Sequence, residues 1–257
     1  MPAENKPDGD TGKGLAGGKM DEQAVFQRYE IKYLLTGEQK KAVLAAMEPY
    51  MERDAYGRST IRNIYYDTDN YRLARRSGEQ PVYKEKLRVR SYSAAEPEDP
   101  VFVELKKKYE GVVYKRRIHI PERQAAEYLA GRRAAPVRSQ ITEEIGYFLS
   151  FYTGLAPRVF LSYEREAYKT KEESGFRVTF DENILWRETD LSLRKGIYGT
   201  SILKPGQTLM EIKTPGGIPL WMVAVLSGEG IRKTSFSKYG NAYAEIYNRE
   251  KGELIYA

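Results

Sequence analysis

Charged side chains recur at a spacing of two inside otherwise apolar runs: Arg28-x-Glu30-x-Lys32, Lys86-x-Arg88-x-Arg90, Glu104-x-Lys106, Tyr163-x-Arg165 and Glu211-x-Lys213. A strand turns alternate side chains to one face, so these groups point one way while Leu87, Val89, Val103, Leu105 and Ile212 point the other. One such pair is an ordinary solvated strand face. Five, from segments far apart in the chain, predict a sheet with one charged wall, as in barrels with polar interiors.

Strands are predicted over 25–35, 59–67, 82–92, 100–109, 112–120, 158–168, 176–181 and 208–213, with a further extended run over 191–195. Helices are predicted over 39–51, after the cap signal Thr36-Gly-Glu38, and over 139–152, 220–226 and 238–248, with a short one after Pro121. The pattern describes an α+β chain of about eight or more mostly antiparallel strands with helices inserted at the ends.

The 257 residues fit one domain. Residues 1–22 carry five acids and three lysines, are rich in glycine and almost lack large apolar side chains, so they read as a disordered tail. The folded part, 23–257, is then basic beyond the whole-chain charge of +6, which suits a polyanionic ligand. Cysteine is absent, which excludes disulfides and thiolate chemistry and fits a reducing cytoplasm, and the single histidine, His119, argues against a histidine metal site. No apolar run approaches the ~20 residues that span a bilayer, so no membrane span is expected.

Inward lysines and arginines are costly unless compensated, and a phosphate chain compensates them. Arginines two apart on a strand stand roughly 7 Å from each other, within reach of neighbouring phosphoryl groups. An exposed cationic strand is the simpler alternative for Arg88 and Arg90. Glu30, Glu104, Asp181 and Glu211 interrupt the cationic surface and suit Mg²⁺ or Mn²⁺. Glu211, set among apolar neighbours, is the clearest of them, whereas for Glu30 and Glu104 an ion pair to Lys32 or Lys106 is an equal reading. Glycine-rich phosphate loops and nucleophile elbows are missing from the sequence, so side chains would have to hold the phosphates.

Together, Phe26-x-Arg-Tyr-Glu-Ile-Lys-Tyr33, Ile64-Tyr-Tyr-Asp-Thr68, Leu87-Arg-Val-Arg-Ser-Tyr92, Val101-Phe-Val-Glu-Leu-Lys106, Arg158-x4-Tyr-Glu-Arg165, Phe176-Arg-Val-Thr-Phe-Asp181, Met210-Glu-Ile-Lys213 and Phe236-Ser-Lys-Tyr239 resemble the VTC domain of the vacuolar transporter chaperone family, one of the triphosphate tunnel metalloenzymes. The resemblance runs in order over about 24–248 and implies an antiparallel β-barrel tunnel. It implies an ATP-dependent polyphosphate polymerase using Mn²⁺ or Mg²⁺, with ATP and inorganic polyphosphate as partners and no nucleic acid. By this resemblance Lys32, Arg88, Arg90, Arg165, Arg177 and Lys238 would be catalytic. Lys106, Lys115, Tyr163, Ser237 and Arg28 would bind substrate, and Glu211, with Glu30 and Glu104, would ligate the metal. Two departures stand out. Hydrolytic and cyclase relatives begin Glu-x-Glu-x-Lys where this chain has Arg28-x-Glu30-x-Lys32, and the fungal members' phosphate-sensing SPX domain and membrane helices do not fit in this chain. A tunnel triphosphatase or polyphosphatase, and a non-catalytic polyphosphate-binding module, are the alternatives.

Overall fold

The computed structural model describes residues 29–79, 81–110, 112–172 and 174–255. The leader expected to be disordered, 1–22, and the expected substrate ligand Arg28 lie outside the described residues. In chain order the elements are β1 (Tyr29–Leu35), α1 (Gly37–Met47), β2 (Met51–Asp67), α2 (Arg72–Gly78), β3 (Tyr83–Ser91), β4 (Pro100–Tyr109) and β5 (Val112–Pro121). They continue with α3 (Glu122–Leu129), α4 (Gln140–Phe151), β6 (Ala156–Thr170), β7 (Arg177–Arg187), β8 (Thr200–Ser201), β9 (Thr208–Thr214), α5 (Leu220–Gly228), β10 (Lys233–Thr234) and α6 (Lys238–Ile255).

The expected α+β antiparallel tunnel is present. One ten-stranded sheet runs β10-β1-β9-β7-β6-β2-β3-β4-β5, with β8 paired to β7. It is not closed into a barrel: β5 and β10 end the hydrogen-bonded path. Side chains bridge the gap instead, Lys106 Nζ of β4 reaching Glu30 Oε2 of β1 at 3.1 Å. Antiparallel register puts directly opposite residues on one face, so Lys86↔Lys106, Arg88↔Glu104 and Lys106↔Lys115 line one half of the concave wall. Glu30↔Lys213, Lys32↔Glu211 and Arg165↔Asp181 line the other half.

Leu87, Val89, Val103 and Leu105 point outward under Ile145 and Phe148 of α4 and Tyr128 and Leu129 of α3. Burial of a side chain such as Ile145 or Phe148 contributes about 1.5–3 kcal/mol. Val43 and Met47 of α1 and Met222 of α5 cover Val178 and Ile212 in the same manner. α6 packs on the other side of the sheet, with Tyr239, Ala242 and Ile246 against Ile61, Tyr65, Leu161, Tyr163 and Leu209. The hollow is therefore apolar where α6 fills it and charged where it stays open.

Three expectations change. The strand expected over 59–67 starts at Met51, because a bulge between Arg53 and Arg58, with Gly57 at φ 59°, lets it rejoin β6. The strand expected over 176–181 runs on to Arg187 through a bulge at Asn183, φ 47°, which reverses the alternation from Thr179 and Asp181 to Ile184 and Trp186. No strand forms over 191–195. That loop is held by the Arg187 guanidinium, which donates to the carbonyls of Thr189, Asp190, Gly196 and Tyr198. Among the described residues no helix is long and apolar enough to cross a membrane.

Candidate functional site

Two carboxylate centres organise the concave wall. Glu104, 1% exposed, meets Arg88 at 2.7 Å, Lys115 at 3.0 Å, Arg117 at 2.8 Å and Arg90 at 3.9 Å. Burial alone would raise this carboxyl, but the four cations hold it far below the usual carboxylate range. Arg90 also donates to Asn63 Oδ1 at 2.9 Å and to the Tyr163 hydroxyl at 3.0 Å, while Arg88 donates to the Tyr65 hydroxyl at 2.9 Å.

Glu211 is the second centre, with Lys32 at 3.6 Å, Lys238 at 3.5 Å, and Arg165 and Lys213 each at 3.7 Å. Burial is again opposed, here by Lys238, Lys213, Lys32 and Arg165, which keep Glu211 well below the ordinary range. Beside it Asp181, fully buried, accepts both prongs of Arg165 at 2.6 and 2.7 Å and lies 2.5 Å from Lys238. Both cations also lie over the Tyr163 ring, Arg165 at 5.1 Å and Lys238 at 4.6 Å from its centroid.

The start of α6 carries the remaining contacts. Ser237 caps the helix by accepting from Gly240 N at 3.0 Å, and its hydroxyl also accepts from Lys86 Nζ at 2.9 Å. A side chain at position 240 would meet Ser237 Oγ at 3.1 Å, so glycine permits the cap. Lys32 donates to the Phe236 carbonyl at 2.8 Å.

Of the expected site residues, Lys32, Arg88, Arg90, Lys106, Lys115, Tyr163, Arg165, Glu211, Ser237 and Lys238 converge on this wall, together with Glu30 and Glu104. Arg177 lies apart at a rim, 46% exposed, on Asp54 at 3.4 Å. Lys86 and Lys213, named from the sequence in the charged pairs but given no role, belong to the wall, as does Arg117, which the sequence reading left out although it stands two positions from Lys115. Asn63 was not singled out from the sequence, because its partners Arg90 and Leu161 are distant in the chain. Lys86 is enclosed with no carboxylate partner among the described residues; burial, then Lys32, Lys106, Lys84 and Arg88, push it down to about 7. Burial likewise lowers Lys213 to about 8, with Glu211 opposing. Among the described residues ten basic groups thus share the wall with four carboxylates, an excess that an anionic guest would offset.

Oxygen donors suited to a hard divalent cation gather at Glu211. Glu30 is near enough for the two carboxylates to feel each other; burial and Glu211 raise Glu30, yet Lys106, Lys32 and Lys213 bring it down to about 2. Thr179, directly opposite Glu211, has a buried hydroxyl with no hydrogen-bond partner among the described residues. Among the described residues no three carboxylate or histidine side chains form a metal cluster by themselves, so a metal held here would need further oxygen ligands such as those of a phosphate. Glu104 fits less well, because Arg88, Lys115 and Arg117 hold its oxygens at 2.7–3.0 Å, whereas the cations around Glu211 stand at 3.5–3.7 Å.

A curled antiparallel sheet whose concave wall carries lysine and arginine defines a tunnel-like fold. The chain belongs to the VTC domain family, whose sequence model matches residues 27–247. Among solved structures, a candidate adenylate cyclase from Bacillus halodurans aligns at TM-score 0.52 and 15% identity, over 82% of this chain and 94% of that one. A candidate adenylate cyclase from Vibrio parahaemolyticus aligns at TM-score 0.46 and 12% identity, over 86% and 99%. A Hippeastrum candidate adenylyl cyclase, described as having a dominant triphosphatase activity, aligns at TM-score 0.46 and 15% identity, over 83% and 93%. No curated protein matches the sequence.

Proposed function

We propose that residues 23–257 form one tunnel domain acting as a metal-dependent polyphosphate polymerase, which moves the γ-phosphate of ATP onto a growing inorganic polyphosphate chain. The observation that carries this reading is the excess of ten cations over four carboxylates along one continuous wall. In the transfer, a terminal polyphosphate oxygen bonds to the γ-phosphorus as the bond to the β–γ bridging oxygen breaks, and ADP leaves with that electron pair. Such a loose transition state needs alignment and charge neutralisation rather than a protein nucleophile. The attacking oxygen is ionised at neutral pH, so no general base is needed.

Arg88, Arg90, Arg165, Lys32 and Lys238 neutralise the transferring group, already oriented by Glu104, Asn63 and Asp181 before substrate arrives. Lys106, Lys115, Tyr163 and Ser237 hold the chain, and Arg177 meets it at the rim. Glu211 and Glu30, with phosphate oxygens, would hold Mn²⁺ or Mg²⁺, which supplies further neutralisation of the phosphoryl oxygens. Glu104 is assigned here as the counter-ion that keeps four cations in place.

The test is incubation of the purified protein with ATP and Mn²⁺, following ADP release and polyphosphate on gels, with Glu211→Gln as control. ADP appearing together with a polyphosphate ladder supports the polymerase. Phosphate release without a ladder replaces it by a tunnel hydrolase, and tight polyphosphate binding without turnover by a binding module.

A further inference from the structure

The two rims of the tunnel differ in chemistry. Where β3 begins and β4 ends, the inward cross-strand pair nearest the rim is Lys84↔Lys108. At the opposite rim, where β3 ends and β4 begins, the inward pairs are Arg90↔Phe102 and Phe102↔His119, and Tyr92 follows directly after β3. There the Arg117 guanidinium lies 4.0 Å from the Phe102 ring and 5.8 Å from the Tyr92 ring, and Tyr92 and Phe102 meet edge to face at 5.5 Å. Arg117 donates to the Tyr92 hydroxyl at 2.6 Å, which fixes the ring, yet Tyr92 remains 44% exposed.

This grouping is continuous with the phosphate wall, because Arg117 and Arg90 both reach Glu104 and Arg90 lies 6.0 Å from the Tyr92 ring. Two residues of strand separate Arg90 from Tyr92, roughly 7 Å, comparable with the offset between the phosphates and the base of a nucleotide. We infer that Tyr92, supported by Phe102 and Arg117, is a stacking platform for the nucleobase of the nucleoside triphosphate, with its phosphates running inward over Arg90 and Arg88. The inference rests on the proposed nucleotide-dependent reading of the tunnel. Stacking on an aromatic face is tolerant of base identity, so the platform selects a nucleotide over bare phosphate rather than one base over another.

Calorimetric titration of the full chain with two probes, the imido analogue of ATP and inorganic tripolyphosphate, both with Mg²⁺, tests it on wild type, Tyr92→Ala and Tyr92→Phe. Tyr92→Ala is expected to lower the affinity ratio of analogue to tripolyphosphate roughly tenfold, the scale of one lost base stack. Tyr92→Phe, which keeps the ring and loses only the hydroxyl, keeps the wild-type ratio. An unchanged ratio in Tyr92→Ala overturns the platform, and so does an equal loss for both probes, which marks a structural rim residue. Failure of both probes to bind wild type overturns the phosphate-tunnel reading itself and the platform with it.

Discussion

Tyr239 donates its hydroxyl to Asp67 at 2.8 Å, joining the first turn of α6 to the end of β2. Asp67 is fully buried and also accepts from the backbone N–H groups of Thr68, Leu73 and Ala74, so one carboxylate caps α2 and anchors α6. The Tyr239 ring stacks on Tyr65 at 4.5 Å, and Tyr65 in turn receives Arg88. Ser237 and Lys238 are held against the charged wall through this chain of contacts.

Tyr239→Phe keeps the stack and removes the hydrogen bond to Asp67. A loss of about 1.5–3 kcal/mol is expected for a bond to a charged acceptor. Denaturant unfolding measures it, and tripolyphosphate affinity should fall as well, because the α6 start loses its tether. Unchanged stability would show that the contact carries no weight.

Glu104→Gln and Glu211→Gln should separate the two carboxylate centres. The first leaves four cations facing one another and is expected to cost about 3–5 kcal/mol. Tripolyphosphate, binding only the native state, should return about 2.7 kcal/mol at a hundredfold excess over its Kd. Glu211→Gln should lose metal-dependent turnover while retaining tripolyphosphate binding within a few-fold. Thermal unfolding with and without tripolyphosphate, beside a turnover assay, checks both.

Lys86 gives the site a pH dependence. Its folded pKa is lowered to about 7, so from there up to the ordinary lysine range the unfolded chain binds more protons than the native one. Native stability should therefore rise with pH through that window, and Lys86→Met should flatten the rise. Tripolyphosphate affinity should fall over the same interval as the wall loses charge. Unfolding and titration series from pH 6 to about 9 read both effects.

The Lys106–Glu30 pair spans the gap in the sheet but is part-exposed, with Lys106 at 38% and Glu30 at 22%. Such pairs contribute about 0–1 kcal/mol. Lys106→Ala should leave the unfolding midpoint nearly unchanged and weaken tripolyphosphate binding several-fold. A large loss of stability would mean instead that the ion pair holds the tunnel shut.

The charged wall was legible because a strand's period of two is a local property of backbone geometry. Arg88 and Arg90 on β3 and Glu211 on β9 announce their shared face within three to five residues of sequence. The cap signal at Thr36 and the helical spacing of apolar residues over 139–152 were legible for the same reason; the structure adds that Gln39 and Thr142 complete capping boxes with Thr36 and Ser139. Where a bulge breaks the period, as at Asn183, the local signal stops although the strand continues.

The amino-acid sequence by itself determined which faces are cationic and which are apolar, because these follow from side-chain type and spacing alone. Tertiary structure decided which carboxylate meets which cation. Glu104 sits among four cations while Glu211 lies opposite Thr179, and Asp67 reaches a tyrosine 172 positions away. Those pairings depend on how far the sheet curls and where α6 enters it. Both are set by packing between segments remote in the chain, and no local pattern encodes them.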